Sequence, residues 1–408
     1  MVEHSAPAGS AVVAGHLCLD ILPGLEHLSR GQFQTVFHPG HLIEVGPAVF
    51  ATGGPVSNTG LALHRLGIPT QLMGKIGADV FGQAVSDRVR AYSPRLAAGM
   101  VVNAEATTSY TVIINPPGVD RIFLHHPGAN DTFCADDVAL DLVAPADLFH
   151  FGYPPLMRRM YSAGGAELAE LFRRVKATGV TTSLDMAFPD PASPAGRADW
   201  PAILRAALPY VDVFMPSFEE TLFMLRRAAF AQLQTAGGAL LDHATPELLA
   251  DLSAELLDLG AGIVGLKLGE RGLYLRTGSA SRLKRAGRAL RAADGWAQRE
   301  LWAPCFQVDV AGTTGSGDAT IAGFLSALLR GFAPEAAVTA AVAVGACNVE
   351  AVDALSGLRS WEATLARVAG GWARRPLSVD APGWRWEPTP GLWVGAARPT
   401  TSAPTART

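Results

Sequence analysis

The chain has 408 residues, 49% hydrophobic and 17% charged, with 43 Gly and 28 Pro, the make-up of a packed globular protein with many turns, which excludes disorder throughout. Its 33 Lys and Arg stand against 37 Asp and Glu, a net charge of -4, so no cation excess exists to neutralise a phosphate backbone and nucleic acid is not an expected partner. Four scattered cysteines, Cys18, Cys134, Cys305 and Cys347, form no CxxC pair, which suggests neither a zinc site nor a disulfide framework and fits a reducing cytoplasm.

Glu3 stands where a signal peptide carries positive charge, and the apolar stretch after it is interrupted by His16 and Asp20, which argues against secretion. From Ala11, AVVAGHLCLDIL reads as a buried strand ending in an acid, placing Asp20 at a strand mouth. Segments 35–50 and 107–125 read as shorter strands, the latter with turn chemistry at Pro116, Pro117 and Gly118. Together they predict a small β-layer.

Helical and strand patterns then alternate: NTGLALHRLG, IPTQLMGKIG, FGQAVSDRVRAY, DLFHFG, AELAELFRRVKATG, VTTSLDM and YVDVFMPS. Such alternation predicts an α/β fold, a mostly parallel sheet with helices on both faces. Sites in such sheets lie at the carboxyl ends of strands, so the loops after Leu19, Leu184, Phe214 and Leu266 are where chemistry is expected. The longest uncharged apolar run lies between Glu335 and Glu350, shorter than the roughly 18 residues of a membrane span. Arg282, Lys284, Arg285, Arg288 and Arg291, within 279–300, read as a solvated helix face without assigned function. Residues 376–408 read as a Pro- and Gly-rich tail beyond a domain over 11–375, with Trp384, Trp386 and Trp393 as anchors for its first half.

The most informative stretch is GTTGSGDATIAGFLSALL, from Gly312 to Leu329. A glycine-rich turn before an apolar helix puts the backbone N–H groups of Gly315, Ser316, Gly317 and Asp318 at a helix N-terminus, where they stabilise an anion. Glycine at 315 and 317 permits positive φ and close approach, while Asp318 sits where the helix dipole favours a carboxylate. A base beside an anion hole points to phosphoryl transfer; a cap and a turn alone would also explain the residues. Neither GxxxxGK[ST] nor a complete GxGxxG after a strand is present.

In GGPVSN, Gly53 and Gly54 expose backbone to a ligand, and Asn58 either caps the following helix or turns its amide to a hydroxyl. GKIGADVFG, from Gly74 to Gly82, is a weaker signal around Asp79. PSFEE and LKLGERG follow predicted strands. Glu220 there is either a Mg²⁺ ligand through water or a surface acid at a helix start.

Taken in this order, the stretches resemble the PfkB family of carbohydrate kinases, with the ribokinase-like fold, over about Val12 to Trp361. The resemblance implies a three-layer α/β/α sandwich with a β lid over the acceptor. It implies Asp318 as catalytic base, Gly315, Ser316 and Gly317 as anion hole, and Asp20, Gly53, Gly54 and Asn58 as acceptor-binding positions. Ser217, Glu220, Lys267 and Gly269 fall on the ATP side, Glu220 with Mg²⁺. The implied activity is ATP-dependent phosphorylation of a sugar or sugar-like alcohol. A nucleoside kinase or a non-catalytic ligand-binding homologue are the alternatives, and a homodimer through the lid is implied as assembly. Two positions depart from the family pattern: Ser217 replaces the Asn of NxxE, and Gly312 replaces the Asp opening DTTGAGD, removing a carboxylate that in similar kinases helps hold a monovalent cation.

Overall fold

The structure, a computed structural model of the chain, describes residues 9–28, 38–115 and 122–396. Six short apolar runs pair in parallel in the order Thr70–Met73, Ala11–Gly15, Leu148–Gly152, Thr181–Leu184, Val213–Phe214 and Ile263–Lys267. Leu273–Thr277, Glu300–Ala303, Leu392–Val394 and Arg385–Glu387 extend the sheet antiparallel to ten strands. Successive side chains on a strand point to opposite faces, so Val13 joins the core under helices Pro55–Arg65, Ser316–Leu329 and Pro334–Asn348, with Leu61, Phe324 and Val338. Its neighbour Val12 joins the opposite core with Phe172, Ile203, Leu222 and Leu252, from helices Ala166–Ala177, Trp200–Ala207, Phe218–Leu225 and Pro246–Asp258. The expected three-layer sandwich with a mostly parallel sheet is observed. Among the described residues no helix is long and apolar enough to cross a membrane.

The run expected as one strand from Ala11 breaks at His16 and Leu17. Gly15, at φ 125, turns the chain where a Cβ would lie 2.4 Å from the Gly152 carbonyl oxygen, a conformation and an approach that only glycine allows. The continuation, Cys18–Gly24, belongs to a separate four-stranded sheet with Gly46–Gly53, Tyr110–Ile114 and Ile122–His126. Asp20 therefore sits in mid-strand in this lid sheet and not at the mouth of a central strand. The lid strand placed over 35–50 begins only at Gly46, because Pro39 and Gly40 turn the chain ahead of it. Residues 35–37, Pro116, Pro117, Gly118 and Arg121 lie outside the described residues.

Two additions differ from expectation. The basic stretch 279–300 is solvated at Lys284, Arg285, Arg288 and Arg291, as expected, but forms no continuous helix: Arg282 pairs with buried Asp212 at 2.9 Å and donates to the carbonyls of Val211 and Gly260, while Arg288 donates to those of Ala144, Ala146 and Thr178. These guanidiniums satisfy carbonyls at helix and loop ends that would otherwise be orphaned. The segment from 376, expected as a tail, supplies two edge strands, with Trp384 against Tyr274 and Trp302; residues 397–408 lie outside the described residues.

Candidate active site

The glycine turn folds as its residue types dictate. Gly315, at φ 71, is the N-cap of helix Ser316–Leu329, and Asp318 lies in its first turn. Gly317, expected to take positive φ, is helical instead. Lys267 packs beside it, its Nζ 3.6 Å from where a Cβ would stand, an ordinary contact distance.

Asp318 is 2% exposed. Asn58 Nδ2 and the Tyr153 hydroxyl donate to its Oδ2, each at 3.0 Å, and the Thr59 hydroxyl donates to Oδ1 at 3.1 Å. A carboxylate offers about four acceptor positions, so the one left open is on Oδ1. Burial raises the Asp318 carboxyl above the usual carboxylate range, opposed by Asn58, Lys267, Tyr153 and Thr59, which favour the ionised form. The donors come from two elements, Asn58 and Thr59 from helix Pro55–Arg65 and Tyr153 from the turn after strand Leu148–Gly152, and they converge on Asp318 in its own helix.

Asn58 is not the helix cap that its position suggested. Gly54, at φ 85, is the N-cap, and Asn58 stands inside the helix with its amide committed to Asp318. Its Oδ1 is buried without a hydrogen-bond partner among the described residues. Gly53 has a steric reason: a Cβ there would lie 2.3 Å from Asp20 Oδ2. Burial pushes the Asp20 carboxyl up to about 6, against the bonds from Cys18 and Thr111 that favour its charged form.

On the other side of Asp318, strand Ile263–Lys267 delivers Lys267, whose Nζ pairs with buried Asp185 at 2.6 Å. Burial would lower the lysine, but Asp185, Glu220 and Asp318 together hold it above its ordinary value. Ser217 and Glu220 form a capping box at the start of helix Phe218–Leu225: Glu220 N–H donates to Ser217 Oγ at 3.1 Å, and Ser217 N–H donates to Glu220 Oε2 at 2.6 Å. Serine in place of asparagine thus keeps a good N-cap, and Glu220, 9% exposed, is no surface acid. Asp185 Oδ2 is buried with no hydrogen-bond partner among the described residues. Asp185, Glu220 and Asp318 set hard oxygens of the kind Mg²⁺ takes around one ammonium, with burial pushing all three carboxyls up. Among the described residues no three such side chains are arranged to hold a metal directly, so these residues fit that ion only through its water shell.

Lys267, Gly269, Ser316 and Gly317 line a common cavity of about 260 Å³, closed by apolar side chains including Val310 and Val342. Two of the expected groups, the ATP-side pair Lys267 and Gly269 and the anion-hole pair Ser316 and Gly317, thereby meet. Asp20, Gly53, Gly54 and Asn58 lie toward the lid and line no part of that cavity.

Sequence reasoning missed Tyr153, Thr59, Asp185 and His16. The loop after Leu184 had been singled out, and Asp185 is its first residue. Tyr153 and Thr59 carried no signal beyond their neighbours. His16, 2% exposed, has both ring nitrogens buried without partners among the described residues, 5.2 Å centroid to centroid from the His125 ring of the lid. Burial, with His125 adding to it, lowers its pKa to about 3, so it is a neutral ring with one donor and one acceptor.

A buried carboxylate in the first turn of a helix whose start, at Ser316 and Gly317, opens on a cavity shared with Lys267 fits the class of phosphotransferases with an alcohol acceptor, although Asp318 itself does not line that cavity. Residues 32–361 match the pfkB family of carbohydrate kinases, and the chain belongs to that family. A sugar kinase of Archaeoglobus fulgidus is 24% identical over 272 residues, 66% of this chain and 87% of the relative. The fold is that of Arabidopsis thaliana ribokinase complexed with ribose and ATP (TM-score 0.64, 19% identity, 88% of this chain and 98% of that one). It is also that of an Escherichia coli ribokinase II in complex with ATP and Mg²⁺ (TM-score 0.61, 19% identity, 89% and 99%). The activity is ATP-dependent phosphorylation of a carbohydrate.

Proposed function

We propose that the acceptor is a neutral polyhydroxylated molecule, a free sugar or sugar-like alcohol, with Asp318 taking the proton of the attacking hydroxyl. The observation that carries this reading is the buried Asp318 carboxylate with one open acceptor position on Oδ1, between the lid and the cavity beside Gly317. On the lid side Asp20 accepts from hydroxyls, the missing side chains of Gly53 and Gly54 let Asp20 and His16 pack against the chain, and Asn58 Oδ1 and the neutral His16 ring offer further hydrogen bonds. An acceptor phosphate would face Asp20 and Asp318 and be repelled. Arg121, the lid cation that could answer it, lies outside the described residues.

Once the hydroxyl is bound, Asp318 removes its proton as the oxygen attacks the γ-phosphorus of ATP and the bond from that phosphorus to the β,γ-bridging oxygen breaks, releasing ADP. The N–H groups of Gly315, Gly317 and Asp318, with that of Ser316 once it leaves the Thr313 carbonyl to which it donates at 3.3 Å, receive the negative charge of the transferring group. Lys267, Gly269 and Ser217 hold the nucleotide side, and the Lys267 ammonium sits where phosphate charge builds. Glu220 and Asp185 would hold Mg²⁺ through water, and that ion, when bound, offsets charge on the phosphates. A monovalent cation is not part of this reading. The lid excludes water that would compete as acceptor. The lid face opposite Asp20 exposes Phe50 (41%) and Leu124 (57%), which supports a homodimer through the lid.

The test is ATP turnover over a panel of free sugars, nucleosides and their monophosphates. The expected result is the highest kcat/KM with a free sugar. A nucleoside as best acceptor moves the enzyme to the nucleoside kinases of this fold; a sugar phosphate overturns the reading of the pocket.

A further inference from the structure

The family match ends at residue 361, yet the wall of the cavity beside the anion hole does not. Residues 373–375 run antiparallel to 305–307: Gln307 N–H donates to the Ala373 carbonyl at 2.8 Å and Arg375 N–H to that of Cys305 at 2.7 Å. Phe306 is clamped in this pairing, stacked on Trp372 at 4.4 Å and covered by the Arg374 guanidinium at 4.3 Å. Arg374 is committed to the carbonyl of Pro304 and the hydroxyl of Thr339, at 2.7 and 3.1 Å. The backbone of residue 375 is thus fixed, and its side chain, together with Glu270, lines the same cavity as Lys267 and Gly317.

We propose that Arg375 is a nucleotide-binding residue supplied from beyond the family domain, and that its guanidinium exchanges Glu270 for the phosphate chain of bound ATP. This rests on the reading of that cavity as the nucleotide site. Of the two cations lining it, Lys267 is tied to a buried carboxylate. Arg375 is paired with Glu270 at 2.8 Å in an ion pair 44% and 67% exposed. Exposed pairs of this kind hold weakly, so exchange for a polyanion costs little. A guanidinium presents paired N–H donors that match phosphate oxygens. Glu270 then acts as a placeholder that keeps the arginine oriented toward the cavity while it is empty.

The experiment measures equilibrium binding of ATP and of adenosine, without acceptor, to the wild-type protein, Arg375→Ala and Glu270→Ala, together with KM for ATP and for the acceptor. Arg375→Ala should weaken ATP binding and raise its KM on the order of tenfold to a hundredfold. Adenosine binding and acceptor KM should not change, which also shows that the variant is folded. Glu270→Ala should bind ATP at least as tightly as wild type, since a competing carboxylate is gone. Equal ATP binding by wild type and Arg375→Ala overturns the proposal alone, and equal weakening of adenosine and ATP assigns Arg375 a structural role and also overturns it. A wild-type protein that binds no ATP overturns the nucleotide reading of the cavity itself.

Discussion

The Tyr153 hydroxyl donates to Oδ2 of Asp318 at 3.0 Å, from a backbone held at φ 63, ψ 46. A non-glycine residue in that region costs on the order of 1–3 kcal/mol and persists only where its surroundings enforce it. Here Pro154 and Pro155 follow at once, and Tyr153 N–H donates to the Asp185 carbonyl at 3.4 Å. Tyr153 and Asn58 fill Oδ2, which leaves the open acceptor position on Oδ1, beside the bond from Thr59.

Replacing Tyr153 by Phe removes a donor that favours ionised Asp318, so the carboxyl titrates higher than in the wild type. Because the base must be ionised, rate is lost as pH falls, and the acid limb of kcat/KM should move to higher pH. The loss should be on the order of tenfold at the acid end and nearly disappear at high pH. A profile of unchanged shape would remove Tyr153 from any role in orienting the base.

Asp318→Asn should keep ATP binding but lose turnover on the order of 100- to 10,000-fold, since an amide cannot take the proton. Binding by calorimetry and single-turnover rates separate the two effects. Near-wild-type rates in this variant would show that another group is the base.

The layered fold was legible because strand runs and helical periods alternate, and hydrophobic period is a local signal. Asp318 was legible because a glycine turn before an apolar helix is local as well. Thr59, Tyr153 and Asp185 were not: they meet Asp318 and Lys267 across 259, 165 and 82 positions of sequence. Nothing in a threonine inside a helix announces which distant carboxylate it will reach. The strand from Ala11 was misread for the opposite reason, since Leu17, Cys18 and Leu19 resume the apolar pattern after His16 and the close approach of Gly15 to Gly152 ends the central strand.

Gly312 is explained by space. A Cβ there would lie 2.8 Å from Val352 Cα and 2.9 Å from its carbonyl oxygen, and residue 354 packs on Gly315 in turn. Gly312→Asp should therefore lower thermal stability and turnover and not create dependence on K⁺. Melting curves, and rates in K⁺ against a bulky organic cation, test this. A stable variant that gains K⁺ activation would show that the loop yields. The wild-type enzyme should itself be activated only weakly by K⁺.

Leu124→Glu places a charge on the exposed lid face without touching Asp318. It should convert a dimer to a monomer in analytical ultracentrifugation and raise acceptor KM severalfold, with ATP binding unchanged. A wild-type protein that sediments as a monomer would exclude lid pairing.

Asp20 belongs to the lid sheet, while Asn58 and Asp318 belong to helices packed on the central one. With the acceptor placed as proposed, its recognition is divided between two parts of the molecule, and apparent affinity would equal intrinsic affinity scaled by the fraction of molecules with the lid seated. Substitutions in the outer lid strands, far from any sugar atom, would be felt as weaker saturation with an unaltered maximal rate. Selection for a new acceptor would then find its gains as readily in how firmly the lid is seated as in the groups that touch the sugar.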